Sequence, residues 1–214
     1  VRDSIDFLLS NFTEMNRLWV RMAHDTPPRE RAARAAERRE LRLLVGSNVA
    51  TLSRLGGLTP ALYRRVVLPG LASQVVACGD ALAQSYLADC VVQVFPDEFH
   101  IASLGATLAM LRALVVGADV AGVLVGLLGR LARYAAAVDG EEGAAAAAVE
   151  RLSRARAFRV LLTGVPPVLA DHAAGVPAAA AVRVAGGLMR LALAAHKEAL
   201  GKADAVLRLA AGAL

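Results

Sequence analysis

The chain has 214 residues, 57% hydrophobic but only 4% aromatic, and a formal net charge of +5. That length suffices for one sizeable core or for several stacked repeats, and Ala, Leu and Val as the main core residues favour helix over an all-β fold. The charge permits acidic partners or anionic lipid but does not require nucleic acid.

From the start, Ile5, Leu8, Leu9, Phe12, Met15, Leu18, Trp19 and Met22 recur at helical spacing, with Ser4, Asn11, Glu14, Asn16, Arg17 and Arg21 opposite. This predicts an amphipathic helix whose apolar stripe, Trp19 included, is buried. Thr26-Pro27-Pro28 should break it. A second helix is expected from Pro28 to Leu55, Arg/Glu/Ala-rich first and then apolar at Leu41, Leu44, Val45, Val49, Leu52 and Leu55. Gly56-Gly57 should end it. Thr59 reads as an N-cap with Pro60 at the first helical position. The helix that follows runs to Cys78, with a kink expected at Pro69. Asp80 should cap the next, and Pro96 should stop it.

Shorter helices are predicted over Ser103–Val115 and Asp119–Val138. Gly122, Gly126 and Gly129 suggest a close helix–helix approach in the second. Asp139–Gly143 reads as an exposed loop. Helices over Ala144–Ala173, Pro177–Ala195 and from Glu198 onward complete the pattern, with Pro166-Pro167 expected to interrupt the first. About eight helices joined by short connections must pack antiparallel to their sequence neighbours. The fold class expected is all-α: an α-solenoid of stacked antiparallel helix hairpins, HEAT- or armadillo-like. Hairpin periodicity alone also admits a globular bundle.

A mean hydropathy of +0.50 raises the question of a membrane span. The longest stretch free of Asp, Glu, Lys and Arg is Val66–Gly79, short of the about 20 apolar residues a spanning helix needs. Arg2, Asp3 and Asp6 do not suit a signal peptide. Cys78 and Cys90 lack metal or disulfide-framework spacing and read as small buried thiols in a reducing compartment. The chain opens on Val1 and closes on Leu214 within an apolar pattern, so it is expected to be a piece of a longer protein.

Candidate chemistry is sparse. Asp97, Glu98 and His100 are close in sequence, but a metal site needs more ligands and supporting groups. The plainer reading is a corner in which Asp97 and Glu98 favour the next helix start and Phe95 and Phe99 enter the core. His24, His172 and His196 lie near helix ends, where capping or exposure suffices. No phosphate-binding glycine loop and no nucleophile–base spacing is present. Catalytic, cofactor-binding and metal residues are therefore expected to be none. Arg29, Arg31, Arg34, Arg38, Arg39 and Arg42, with three glutamates between Arg29 and Arg42, form one basic stretch. It reads either as a solvated face with pairs such as Glu30–Arg34 or as a surface for lipid headgroups or an acidic partner.

Four stretches carry a more specific signal: RDSIDFLLSNFTEMNRLWVRM at 2–22, ERRELRLLVGSNVATLSRLGG at 37–57, YRRVVLPGLASQVVACGDALAQSYLADCVVQVFPDEFH at 63–100 and LLGRLARYAAAVDG at 127–140. In this order and spacing they closely resemble the α-solenoid scaffold subunit of the retromer cargo-sorting complex. The resemblance is strong over 1–140. It is weaker over 141–214, where it rests on helix order and on Ala203–Leu207. The whole of 1–214 is expected to form a single solenoid segment.

The resemblance implies a non-enzymatic, cytoplasmic scaffold, peripheral on endosomes, in transport from endosome to Golgi and to plasma membrane. Implied partners are an arrestin-like subunit and a phosphoesterase-fold subunit, whose main sites lie outside this stretch, with sorting nexins and cargo tails. Membrane association would run through these partners, and nucleic acid is not among them. The rival expectations are an unrelated helical ligand-binding bundle or a nucleic-acid-binding helical repeat. The latter would need basic residues and stacking aromatics on every repeat.

Overall fold

Local signals set most helix boundaries. The computed structural model describes residues 1–24, 31–136, 144–196 and 200–212. Its first helices are α1 (Arg2–His24) and α2 (Arg31–Ser53). The Thr26-Pro27-Pro28 break and the Asp139–Gly143 loop lie outside the described residues. Gly57, at φ +81°, supplies the left-handed turn after α2. Thr59 then caps α3 (Pro60–Leu62), its side chain accepting from the Leu62 N–H at 3.2 Å. A π-turn over Tyr63–Val67 carries α3 into α4 (Leu68–Ala77). Pro69 is the second residue after that turn. The wider π geometry relieves the clash between a proline ring and the preceding turn, so the expected kink takes this form.

Asp80 caps α5 (Ala81–Val94) through the Ala83 N–H at 2.7 Å. Pro96 ends it, and α6 (Asp97–Arg112) starts at the next residue, well before the expected Ser103. Proline is a good helix start, and Asp97 and Glu98 suit the positive end of the dipole. Then come α7 (Val120–Ala136), α8 (Ala144–Arg154), α9 (Ala157–Asp171), α10 (Ala178–Ala195) and α11 (Leu200–Gly212). The break expected at Pro166-Pro167 falls instead at Arg156, in the left-handed conformation at φ 50°. Both prolines lie inside α9 and are only half-buried, so water can reach the carbonyls they leave free.

The helices build two layers. Helices α1, α4, α6 and α9 pack one after another in the first, and α2, α5, α7 and α10 in the second. Each hairpin, α1–α2, α4–α5, α6–α7 and α9–α10, joins the layers. Helix α8 bridges α7 and α9, and α11 rests on α10. A continuous apolar core runs from Ile5 to Val206. The chain is an all-α solenoid, without strands among the described residues.

The stripe on α1 is buried at Ile5, Phe12 and Trp19, but Leu18 is exposed and Asn16, expected on the polar face, is buried. Asn16 donates from Nδ2 to the Gln74 carbonyl of α4 at 3.1 Å. On α2, Leu44 is exposed too. Helix α10 is long and apolar enough to cross a membrane by length and composition alone. It carries Arg183 and Arg190, and it buries Val184, Leu188 and Leu191 within the protein.

Candidate functional site

Of the basic stretch, Arg29 lies outside the described residues, as do the side chains of Arg31, Arg34, Arg38 and Arg39 and the pair Glu30–Arg34. Arg42 is described; it is exposed, but its guanidinium lies against a joint between helices. Its guanidinium carbon stands 4.2 Å from the centre of the Tyr86 ring. The Tyr86 hydroxyl donates to the Arg42 carbonyl at 3.0 Å. Trp19 meets the same ring edge-on at 5.6 Å. Gly46 makes room, since a Cβ there would stand 2.6 Å from the Tyr86 hydroxyl. Cation–π contact, stacking and hydrogen bond together lock α1, α2 and α5. Burial, with neighbouring Cys90, pushes the Tyr86 hydroxyl up to about 12, so it stays a donor.

The corner at 95–100 is also built for joining helices. Arg130 of α7 donates from Nη1 to the Val92 and Gln93 carbonyls at 2.5 and 2.6 Å, capping the C-terminus of α5. Its Nε donates to Asp97 Oδ1 at 2.8 Å. Glu98 is ion-paired with Arg151 of α8, whose Nη1 also donates to the Tyr134 hydroxyl at 3.0 Å. The carboxylates of Asp97 and Glu98 thus face arginines. Phe95 and Phe99 enter the core beside Tyr63, at ring separations of 4.5 and 5.3 Å.

His100 is fully buried, with Nε2 3.1 Å from the Phe95 carbonyl. That contact requires the proton on Nε2 and leaves Nδ1 a buried acceptor unsatisfied among the described residues. Burial first, and the nearby Arg130 charge next, push this imidazole down to about 4. It is neutral near pH 7, poor at exchanging protons, and walled in by rings. The described residues contain no group of three or more His, Cys, Asp or Glu side chains placed to hold a metal ion.

Two buried polar bridges had no signal beyond one polar letter in an apolar run. Gln84 donates to the Val76 carbonyl at 3.0 Å and accepts from the Val115 N–H at 2.7 Å, tying the ends of α4 and α6. His172, expected to cap or face solvent, is buried instead. Its ring nitrogens lie 2.9 Å from the Val168 carbonyl and 3.0 Å from the Leu114 carbonyl, linking α9 to the end of α6. Cys78 and Cys90 are half-buried and free, and burial raises both thiols, which suits unreactive packing. His24 lies outside the residues whose side chains are described.

The polar side chains described so far join helices to one another. A family model described as vacuolar protein sorting-associated protein 35 matches residues 1–214. Vacuolar protein sorting-associated protein 35C of Arabidopsis thaliana is 42% identical over 205 residues, covering 96% of this chain and 25% of that protein. The Dictyostelium discoideum protein 35 is 48% identical over 135 residues, covering 63% of this chain and 17% of that protein. The Schizosaccharomyces pombe protein 35 is 42% identical over 134 residues, covering 63% and 16%. The chain spans at most about a quarter of the length of these curated relatives.

Proposed function

Because this chain belongs to the vacuolar protein sorting-associated protein 35 family, we propose that it is a spacer segment of the retromer scaffold, in endosomal and vacuolar protein sorting. Residues 1–214 act as a single solenoid segment whose task is mechanical. They hold partners bound elsewhere on the protein at a fixed distance, in transport from endosome to Golgi and to plasma membrane. The observation that carries this reading is the two-layer stack, in which each hairpin is covered by the next. Such a stack behaves as a quasi-one-dimensional rod, stiff along its length and able to bend slightly between repeats.

On this reading the segment performs no catalysis. The arrestin-like and phosphoesterase-fold subunits bind outside it, and sorting nexins and cargo tails reach the assembly through them or beside them. The protein sits on the cytoplasmic face of endosomes through its partners. Arg29, Arg31, Arg34, Arg38, Arg39 and Arg42 are the stretch of this segment proposed to meet an acidic partner or lipid headgroups. Arg42 contributes less than the others, since its guanidinium is already stacked on Tyr86.

The test is co-purification of the full-length protein with both subunits. Charge reversal at Arg29, Arg31, Arg34, Arg38 and Arg39, leaving Arg42 on Tyr86, should keep capture of both subunits intact and weaken vesicle flotation or cargo-adaptor capture alone. Loss of either subunit on that substitution would put a subunit site inside this stretch and overturn the spacer reading.

A further inference from the structure

A groove of about 630 Å³ lies where α5, α7 and α10 of one layer meet. Its walls include Gln93, Gly126, Gly129, Arg133, Arg190 and Ala194. Four features bear on what it would hold. The volume lies within the range of sites that take ligands, roughly 300–1,000 Å³. The floor is glycine and alanine, so a main chain can approach the helices closely. The Arg133 Nη1 lies 3.7 Å from where a Cβ of Gly129 would stand, and the Arg190 Nη1 3.9 Å from that of Gly186. Each guanidinium is laid back along its own helix beside a glycine. Among the described residues neither has an ion-pair partner, whereas Arg112, Arg130 and Arg151 each hold a carboxylate.

We propose that this groove is a docking site for an extended acidic segment of a partner protein, with Arg133 and Arg190 gripping its carboxylates. Arginine forks match carboxylates two bonds at a time, and such charge-assisted bonds are the strong ones. Gln93 donates to Asp89 at 3.2 Å and keeps its amide oxygen for a main-chain N–H of the segment. Leu193, half exposed and one helical turn from Arg190, offers an apolar contact beside the charged ones. The two exposed guanidiniums lie along their helices beside a floor of small residues that an extended main chain can reach, whereas membrane surfaces are met by basic and apolar side chains clustered on one helix face. The groove is separate from the 29–42 stretch, and this proposal goes beyond the spacer reading.

Fluorescence anisotropy on the full-length protein tests it, with a labelled nonapeptide carrying three glutamates and its glutamine counterpart. The glutamate peptide should bind about tenfold tighter or more, as expected for loss of charge-assisted bonds. Arg133→Gln with Arg190→Gln should abolish that preference without moving the melting temperature, since both side chains are exposed. Gly129→Leu should block binding by filling the groove, because its added Cβ meets only the end of the Arg133 side chain. Equal binding of the two peptides, or an unchanged preference in the double variant, would overturn the proposal. So would capture of phosphatidylserine vesicles through the same arginines with no peptide preference, which would make the face a membrane contact.

Discussion

Between α1 and α6 the helices are held apart by rings. Trp19 stands edge-on to Tyr86 at 5.6 Å, and Tyr63 leans on Phe95 at 4.5 Å. Where α7 meets α10 the buried side chains are aliphatic, and glycine and alanine let the helices come close. A Cβ on Gly187 would stand 3.1 Å from the Leu128 Cβ, and Ala180, Ala185, Ala192 and Ala195 are buried along the same helix. Helix separation follows side-chain size at the contact, so one stacking plan is reached by wide, aromatic packing at one end and by close backbone approach at the other. The first kind draws on large buried apolar area and is vulnerable to truncation. The second relies on the helix propensity of alanine and on dense contact, and it is vulnerable to enlargement.

The largest effect should come from truncating a ring. Trp19→Ala should lose about 3–5 kcal/mol in urea titration, since the side chain is buried and leaves a cavity between α1 and α5. A loss under about 1 kcal/mol would show that the ring is a dispensable spacer, which breaks the contrast.

Acid should act on the aromatic end next. His100 is pushed down to about 4 when folded, while an unfolded histidine titrates near 6.5. Between these values the unfolded chain binds more protons, so stability rises with pH. The contribution is fully present above about pH 6.5 and is lost as pH falls toward 4, by up to about 3 kcal/mol. His100→Leu should flatten this part of the stability–pH curve whatever it does to absolute stability. An unchanged slope would mean that His100 is not the group responsible.

Enlargement should hurt the other end. Gly187→Val is expected to destabilise by about 1–3 kcal/mol, because α7 must move to admit it. Gly186→Ala, one residue along, meets only the flexible end of Arg190 and should stabilise by up to about 1 kcal/mol through helix propensity. Equal effects at the two positions would deny the close approach. Smallest is Tyr63→Phe. The Tyr63 hydroxyl is buried with no partner among the described residues, so its removal should be neutral or stabilising by about 1 kcal/mol. A clear loss in thermal melts would show that the hydroxyl has a bound water.

The aromatic end was also the more legible in sequence. Thr59-Pro60, Asp80 and Pro96 mark boundaries because capping is a local event between residues three apart. Trp19 could be placed in the core because neighbours at helical spacing share its face. What failed depended on partners distant in the chain. Asn16 reads as polar surface until α4 brings the Gln74 carbonyl to it. His172 reads as a helix-end residue until Leu114 arrives from α6. The glycines at 122, 126 and 129 suggested a close contact on α7, and α7 makes one: Gly187 of α10 closes on Leu128, and a Cβ on Gly126 would stand 3.1 Å from the Gln93 side chain of α5. A Cβ on Gly122 would meet its own capping residue Asp119, and one on Gly129 only Arg133. Periodicity shows that a glycine lies on a face but not which helix comes to it. The groove between α5, α7 and α10 was invisible for the same reason, since its two arginines are far apart in sequence. The basic stretch at 29–42 was visible as composition, but the one member described, Arg42, proved to be stacked on Tyr86.

Native-state hydrogen exchange on Trp19→Ala tests the central claim most directly, that this is a stack in which each hairpin depends on its neighbours. Protection should fall sharply in α1 and α2, less in α4 and α5, and hardly at all in α9 and α10, because stability in a stack is a sum of repeat and neighbour terms. A uniform loss of protection from α1 to α10 would mean a single cooperative bundle and would contradict the solenoid account.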